Sequence, residues 1–251
     1  MINIITLHHT NSKFIDIQDT HIDKYTTEEY RTFAGVFRCK NDYKTKFYYE
    51  DNLMNVSRDH HTRMNHIAKH VLNSAKDDEL LVFMDGDAFP IKKWVPQVYK
   101  LLENNSIVAV QRNEIGDTFP HPIFLCTTVG FWRKNKLSWD FSYKGKQFVT
   151  SGPALEMFLN EKNIPWKPIN KTNNINIHPI FFAVYDFIYH HGASFREPIT
   201  SIDYNRPSMK NNGRKCLFFN KVVQDNIDLS QFIFDKIKKD HTFVHYYFIG
   251  D

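Results

Sequence analysis

Two aspartates separated by one residue follow a long apolar run in the first half of the chain. The stretch ELLVFMDGDAFPI, from Glu79 to Ile91, contains the run LLVFM and then Asp85 and Asp87. The run predicts a buried β-strand, and side chains at positions i and i+2 of a strand end can point to the same side. Two carboxylates held close together repel each other unless a cation or a proton lies between them. The pair therefore predicts a Mg²⁺ or Mn²⁺ site, and such ions commonly bind substrate phosphates, here a diphosphate.

The same three letters have a simpler explanation as a surface turn. Asp-Gly-Asp is ordinary turn chemistry, in which Asp85 would cap the turn and Asp87 would be solvated. The position of the motif between LLVFM and AFPI, and before a predicted helix, favours the metal interpretation. In open α/β sheets, ligands bind beyond the carboxyl ends of the strands, which is where the pair is predicted to lie.

Elements on both sides of the pair predict an α/β sheet. Ser57 is a predicted helix N-cap, and Asp59 is favourable in the first turn. The helix after it has an amphipathic apolar stripe formed by Met64, Ile67, Ala68, Val71, Leu72 and Ala75. The strand at 79–84, a helix at 93–103 and a strand at 106–112 follow, and this alternation predicts a largely parallel sheet. Further strands are predicted at 2–8, 32–38, 46–49, 123–132 and 181–189, and further helices near 152–160 and 229–239.

Composition limits the class of protein. The 251 residues, 42% of them hydrophobic, suffice for one large domain or two small ones. A formal net charge of +4 is too small to predict nucleic-acid binding by itself. Three scattered cysteines without a CxxC motif favour a reducing compartment. No run approaches the about 18 apolar residues of a membrane span, and the start has no secretory signal, so we expect a cytoplasmic protein without a transmembrane segment.

The run LLVFMDGDAFPI resembles the Asp-x-Asp strand end of nucleotide-sugar-dependent glycosyltransferases with the A-type fold. The preceding segment, HHTRMNHIAKHVLNSAKDDE, resembles a family pattern of His-Gly-x-x-Leu-Asn followed by a helix. His60 and Asn65 match that pattern, Met64 stands in place of its leucine, and His61 stands in place of its glycine. The resemblance covers roughly residues 1–200 and is strong across 57–91.

The resemblance implies the fold, the reaction and the partners. The fold would be a Rossmann-like mixed, mostly parallel sheet flanked by helices, in a single domain over 1–251. Residues 1–112 would bind the nucleotide sugar and residues 113–251 the acceptor. The enzyme would move a hexose from a nucleotide-diphosphate donor, with a UDP-sugar favoured, to a glycan or another hydroxyl acceptor. Asp85 and Asp87 would hold Mn²⁺ or Mg²⁺ on the diphosphate of the donor.

A second candidate metal ligand lies in the stretch VYDFIYHHGASFR. An apolar strand runs into His190 and His191, and Gly192 leaves room for close approach. By the resemblance, one of the two histidines is a further metal ligand, and both remain candidates. Arg196 could bind phosphate through its planar guanidinium. The alternative is a hydrogen-bonded histidine pair at a sheet edge.

Several other residues are candidates for donor binding. His8 and His9 end the first predicted strand, Arg63 could add positive charge, and Gly86 lies between the two aspartates. Ser151 and Gly152 stand at a predicted helix start, where free N–H groups could meet an anion or sugar hydroxyls. A plain helix cap accounts for that pair somewhat better. The full set of donor-binding candidates is His8, His9, His60, Arg63, Asn65, Asp85, Gly86, Ser151 and Gly152.

An inverting transferase also needs a carboxylate base near the acceptor hydroxyl, whereas a retaining enzyme can use the donor phosphate. Glu114, Asp117 and Asp140 are candidates by position alone. The catalytic set predicted from the sequence is Asp117, Asp140 and Arg196. Stereochemistry is left open by these residues.

Two other classes of protein also fit parts of the sequence. Paired aspartates serve nucleotidyltransferases and phosphohydrolases, which would be favoured by a third carboxylate on a neighbouring strand, and AVQR offers none. A nucleic-acid-binding or DNA-base-modifying protein is suggested only by the basic charge. His66 and His70 have helical i, i+4 spacing that could bind zinc, but Ile67 replaces the glutamate of a metalloprotease, so a solvated helix face is the favoured interpretation.

Overall fold

The computed structural model describes residues 1–10, 12–56, 59–140, 142–148, 150–175, 181–192, 228 and 231–240. Its strands, in chain order, are β1 (Ile2–His9), β2 (Tyr30–Phe37), β3 (Tyr49–Asn52), β4 (Leu80–Asp85), β5 (Ala88–Pro90), β6 (Ile107–Val110), β7 (His121–Thr128), β8 (Ser142–Tyr143), β9 (Lys146–Gln147), β10 (Trp166–Ile169), β11 (Ala183–Tyr185) and β12 (Ile188–His190). Its α-helices are α1 (Ile15–Tyr25), α2 (His60–Ser74), α3 (Val95–Leu102), α4 (Val129–Lys134), α5 (Pro153–Glu161) and α6 (231–239). Two short 3₁₀ turns lie at Leu53–Asn55 and Asn113–Ile115.

Seven strands form one mixed sheet in the order β10-β6-β7-β4-β1-β2-β3. The pairs β4–β1, β1–β2, β2–β3 and β10–β6 are parallel, while β7 runs antiparallel between β6 and β4. Strands β11, β12 and β5 form a smaller antiparallel sheet, and β8 pairs with β9. The mixed, mostly parallel sheet flanked by helices confirms the predicted fold class.

Strand β4 is the fourth of the seven strands, and both of its faces are covered. Leu81 and Phe83 face one side, in a cluster that includes Met64 and Ile67 of helix α2. Val82 and Met84 face the other side, in the cluster that includes Trp94 and Val98 at helix α3. A strand buried on both faces is expected to be apolar at every position, which explains the unbroken run LLVFM.

Most predicted elements are present, with a few differences. Helix α2 begins at His60 with Asp59 as its N-cap residue, whereas the predicted N-cap, Ser57, lies outside the described residues. The prediction of a strand over 123–132 is wrong for its last four residues, 129–132. There β7 ends at Thr128, whose hydroxyl accepts a hydrogen bond from the Phe131 N–H at 3.1 Å and starts α4. The run expected as one strand over 181–189 is the hairpin of β11 and β12.

Helix α1 and strands β8, β9 and β10 were not predicted from the sequence. Helix α1 buries Ile15, Ile17 and Ile22, together with two polar residues, Gln18 and His21. The polar residues interrupt its apolar stripe, so its periodicity is weak. Among the described residues, no helix is both long and apolar enough to cross a lipid bilayer.

The aromatic contacts of Phe83 give a test of this core. Phe83 is fully buried, with its ring centroid 4.8 Å from that of Trp132 and 5.3 Å from that of Trp139. Replacing Phe83 with alanine should lower the free energy of unfolding by about 3–5 kcal/mol, measured by chemical denaturation. The control Tyr99→Ala, on the exposed face of α3, should change it by no more than about 0.5 kcal/mol. Equal effects of the two substitutions would contradict this packing.

Candidate metal and donor site at the end of strand β4

The turn after β4 is held beside the end of β12. Strand β5 follows the turn immediately and pairs antiparallel with β12, with Ala88 opposite His190. The backbone N–H of His191 also donates to the carbonyl of Asp87 at 3.0 Å. Two segments about 100 residues apart in sequence thus meet, and their register places His190 next to the Asp85–Asp87 turn.

The Nε2 atom of His190 lies between the two carboxylates. It is 3.4 Å from Oδ1 of Asp87 and 3.9 Å from Oδ2 of Asp85. On the other side, Nε2 of His60, the first residue of α2, is 3.4 Å from Oδ1 of Asp85. The geometry of this contact is not that of a hydrogen bond, so the buried Oδ1 of Asp85 has no hydrogen-bond partner. The arrangement is a partly buried cluster of two carboxylates and two imidazoles, in which one carboxylate oxygen has no hydrogen-bond donor.

Electrostatics around Asp85 favour its ionised form. Burial alone raises the pKa of Asp85, but the facing His60, His190 and His121 rings outweigh burial and lower it. The pKa of His190 is affected in the opposite way, since burial lowers it and Asp87 and Asp85 together raise it above its usual value. The two carboxylates therefore attract positive charge to the position that Nε2 of His190 faces.

His121 belongs to the same group of charges, although it was not singled out from the sequence. Burial and the nearby Arg112 hold its pKa well below the usual range, despite the attraction of Asp85. Strand β7 runs antiparallel to β4, with Phe124 opposite Met84, so the start of β7 lies at the carboxyl end of β4. His121 could be placed at this site only once the antiparallel pairing of β7 with β4 was known.

His191, the other histidine candidate, is fully buried away from the carboxylate pair. Its Nδ1 is 2.8 Å from the hydroxyl of Tyr189. Its ring packs against those of Phe14 and Phe182, at centroid distances of 4.7 Å and 5.1 Å. These contacts are those of a core histidine, so the structure places only His190 beside both aspartates.

The backbone of the turn is fixed from beneath by helix α1. The side-chain amide of Gln18 donates to the carbonyl of Asp85 at 2.8 Å and to that of Ala88 at 2.6 Å. Its own oxygen accepts a hydrogen bond from the hydroxyl of Thr6 at 2.8 Å. Gln18 is buried, and all of these partners are part of the fold. It was missed from the sequence because its contacts join residues about 70 positions apart.

Gly86 is required by the close approach of the turn to strand β1. A Cβ atom at this position would overlap the carbonyl of Leu7 and the ring of His8. Leu7 pairs with Asp85 across the two parallel strands, which explains why the backbones are so close. His8 is buried under the turn, whereas His9 is exposed and stacks on Phe37 with centroids 5.0 Å apart.

Arg63 and Asn65 are engaged in contacts within the fold. The guanidinium of Arg63 is buried and lies 3.6 Å from the ring centroid of Phe37. The side-chain oxygen of Asn65 accepts a 2.8 Å hydrogen bond from the backbone N–H of Trp139. Its side-chain nitrogen donates a 2.9 Å hydrogen bond to Oδ1 of Asp140. Asn65 therefore joins helix α2 to the segment that follows α4.

Ser151 and Gly152 lie close to the start of β7. Ser151 is buried, and Gly152 is the N-cap residue of α5 with a φ of 111°. A Cβ atom on Gly152 would overlap Phe119 and the carbonyl of Pro120, the residue directly before His121. The start of α5 thus packs on the segment that leads into His121.

The carboxylate base candidates occupy different environments. Asp117 forms an ion pair with Arg112 at 2.7 Å, and Asp140 is exposed and accepts a 2.6 Å hydrogen bond from Ser138. One oxygen of Glu114 accepts a 2.7 Å hydrogen bond from Tyr185, while the other is buried without a hydrogen-bond partner. Arg196 lies outside the described residues.

The chain matches no known family model and no curated protein by sequence. Part of the chain aligns in structure with solved proteins that are named glycosyltransferases. The galactosyltransferase LgtC, in complex with donor and acceptor sugar analogues, aligns at 10% identity with a TM-score of 0.37, over 53% of this chain and 60% of that chain. The glycosyltransferase GlyE of Streptococcus pneumoniae TIGR4 aligns at 10% identity with a TM-score of 0.40, over 66% of this chain and 44% of that chain. Mouse xyloside xylosyltransferase 1 aligns at 7% identity with a TM-score of 0.31, over 53% of this chain and 69% of that chain. The chain therefore spans less than two thirds of the LgtC and GlyE chains.

The burial of His8 predicts a pH dependence of stability. Burial lowers the pKa of His8 from 6.5 to about 4, against the opposing effects of Asp87 and Gln18. The unfolded chain therefore takes up a proton near pH 6.5 that the folded protein does not take up until about pH 4. The free energy of unfolding should fall as the pH decreases through this interval, by an amount on the order of 3 kcal/mol from this residue.

Urea denaturation across that pH interval measures the effect. The free energy of unfolding should change less steeply with pH in the His8→Asn variant than in the wild type. The control His9→Asn, at the exposed neighbouring position, should keep the wild-type dependence on pH. The buried His121 contributes equally to the pH dependence of all three proteins, so the difference between the His8→Asn and wild-type slopes reports His8 alone. Identical slopes for wild type and His8→Asn would show that His8 titrates normally in the folded protein.

Proposed function

We propose that the chain is a divalent-metal-dependent glycosyltransferase. It moves a hexose from a nucleotide-diphosphate sugar, with a UDP-sugar favoured, to a hydroxyl of a glycan-type acceptor. The observation that carries the proposal is the meeting of Asp85, Asp87 and His190 at the carboxyl end of a central parallel strand. That edge is where α/β sheets bind their ligands.

Asp85, Asp87 and Nε2 of His190 would hold Mn²⁺ or Mg²⁺. The fit is supported by the buried Oδ1 of Asp85, since a buried carboxylate oxygen without a donor is costly unless a cation compensates it. An imidazole in the ligand set favours Mn²⁺ over Mg²⁺, which strongly prefers oxygen ligands. The contact of His191 with Tyr189 supports His190 as the histidine ligand. When bound, the ion supplies neutralisation of the negative charge that develops on the leaving diphosphate.

The residues around the turn keep the two carboxylates aimed at the donor. Gln18 and Gly86 fix the turn backbone, one by hydrogen bonds and the other by allowing close approach to β1. His60, partly exposed at the first turn of α2, can donate a hydrogen bond to a diphosphate oxygen beside Asp85. The positive end of the α2 dipole also favours an anion at the same place. Arg63 is less suited to direct phosphate contact, because its guanidinium is buried against Phe37.

The nucleotide would bind over the ends of β1 and β2. His9 and Phe37 form a stacked pair at those ends, and the exposed His9 could contribute its ring to stacking with a base. His8 would support the turn from below, and Asn65 would act by positioning α2 against 138–140. Ser151 and Gly152, at the start of α5, would face the sugar or the acceptor from the β7 side of the site.

The acceptor hydroxyl needs a proton acceptor if the reaction inverts the anomeric centre. Asp117 and Asp140 remain candidates, but each already holds a polar partner. Glu114 has one buried oxygen without a hydrogen-bond partner, and Tyr185 fixes the other, so its free oxygen is better placed to accept a proton. Arg196 stays a candidate for charge neutralisation on the strength of the sequence alone.

Donor binding measured by calorimetry is the direct test. Titration of a panel of nucleotide sugars should show that one donor binds only when Mn²⁺ is present, because the ion held by the carboxylates would neutralise the charge of the diphosphate. Asp87→Asn and His190→Gln should weaken that binding by roughly 10- to 100-fold or more, since each removes a metal ligand. The matched control Asp78→Asn, an exposed aspartate before the other end of β4, should bind as the wild type does.

The panel also separates this proposal from other metal-dependent nucleotide chemistry. Binding and turnover of a free nucleoside triphosphate or a phosphate ester, without binding of any nucleotide sugar, would indicate a nucleotidyltransferase or phosphohydrolase. Metal-independent binding of a donor, unchanged in Asp87→Asn, would contradict the role given to the turn. Circular dichroism of each variant ensures that lost binding does not reflect lost folding.

A further inference from the structure

A second group of potential metal ligands lies between helix α2 and the edge strand β3. Asp51 projects from β3, and His66 and His70 lie one turn apart on α2. The donor atoms of these three side chains all lie within 4.8 Å of one another. In the part of the chain that the structure describes, this is the one group of three His, Cys, Asp or Glu residues that meets that distance.

Hydrogen bonds link the three side chains through one carboxylate oxygen of Asp51 and the hydroxyl of Tyr49. Nε2 of His66 is 2.7 Å from Oδ2 of Asp51. The hydroxyl of Tyr49 is 3.3 Å from the same oxygen and 2.9 Å from Nε2 of His70. The Tyr49 ring stacks on His70 with centroids 4.1 Å apart, which fixes the orientation of the imidazole. The expectation that His66 and His70 lie on a solvated helix face is therefore replaced by a face packed on β3.

We propose that Asp51, His66 and His70 form a zinc-class transition-metal site. Tetrahedral zinc with bonds of about 2.0–2.1 Å keeps its ligand atoms about 3.3 Å apart. The ligand atoms here are 2.7 Å to at most 4.8 Å apart. Side-chain rotations that move these atoms by about an ångström would bring them to the zinc spacing. Two imidazole nitrogens and one carboxylate select zinc over Mg²⁺ or Mn²⁺. Three protein ligands leave the fourth position to water or to the hydroxyl of Tyr49.

The surroundings allow an ion to enter and to be held. The side chains of Asp51 and His66 are 27% and 35% exposed, so the group is reachable from solvent and still partly shielded from it. Partial shielding strengthens the attraction between the carboxylate and a cation relative to bulk water. Without a metal, the hydrogen bonds of His66 to Asp51 and of His70 to Tyr49 satisfy the same atoms, so the metal-free protein also folds with this geometry.

This site is separate from the turn after β4, although one helix carries parts of both. His60 contacts Asp85 at the start of α2, while His66 and His70 lie six and ten residues further along. The axial rise of a helix puts them about 9 to 15 Å away. Strand β3 is the last strand of the sheet, so a metal there would fasten α2 to the sheet edge. Binding to the folded state would stabilise it by mass action.

The test uses the metal-free full chain carrying Asp87→Asn, which disables the turn as a metal site. Calorimetric titration with ZnCl₂ should show about one tight site per chain. Substitution with Co²⁺ should give the intense visible d–d absorption of a tetrahedral ion. Adding His70→Gln should weaken zinc binding at least about tenfold and abolish the cobalt spectrum. Lys69→Gln, exposed on the same helix, should leave both unchanged.

Asp51→Asn is a second, nearly isosteric variant, and it guards against a folding defect in His70→Gln. Circular dichroism and the melting temperature without metal should match the parent for both variants, while the zinc-dependent rise in melting temperature should disappear. The proposal is overturned if zinc does not bind, or if its affinity and the cobalt spectrum are the same with and without these substitutions. Donor binding is not part of either readout, so this result is independent of the proposed transferase function.

Discussion

The burial of the Asp85 carboxylate at the end of a central strand, beside a second aspartate, is the constraint around which this part of the molecule is built. Asp85 and Asp87 are separated by one glycine, and one carboxylate oxygen of Asp85 is buried without a hydrogen-bond partner. Burying a carboxylate costs free energy unless hydrogen bonds or positive charge compensate it. Here His60 and His190 contribute to that compensation, since each faces a different oxygen of Asp85. A cation seated between the carboxylates would complete the same compensation more fully.

The fold supplies that arrangement from four distant segments of the chain. Strand β4 carries the carboxylates to the sheet edge, and helix α2 brings His60 to them. The β5–β12 pairing delivers His190, and the reversed direction of β7 places His121 at the same edge. Gln18 of α1 then locks the turn by two backbone hydrogen bonds. Because each contact is tertiary, the geometry of the site depends on the whole sheet being formed.

The parts of this picture that could be predicted from the sequence are those encoded locally. The apolar run of β4 and the stripe of α2 have clear periodicities, so both elements and the position of Asp85 and Asp87 followed directly. The segment 129–132 was misassigned because a short apolar run fits a strand and a buried helix equally well. Gln18, His121 and the pairing of Asp51 with His66 depend on long-range contacts. The choice between His190 and His191 depends on them too, and no local pattern specifies such contacts.

The most direct test of the central claim is to locate the metal in crystals grown with Mn²⁺ and UDP. An anomalous difference map recorded at the manganese absorption edge shows the ion independently of any assumed chemistry. The account predicts the strongest peak in contact with Asp85, Asp87 and Nε2 of His190, with the diphosphate of UDP bound to the same ion. A manganese peak elsewhere, or UDP bound without an ion at that turn, would contradict it.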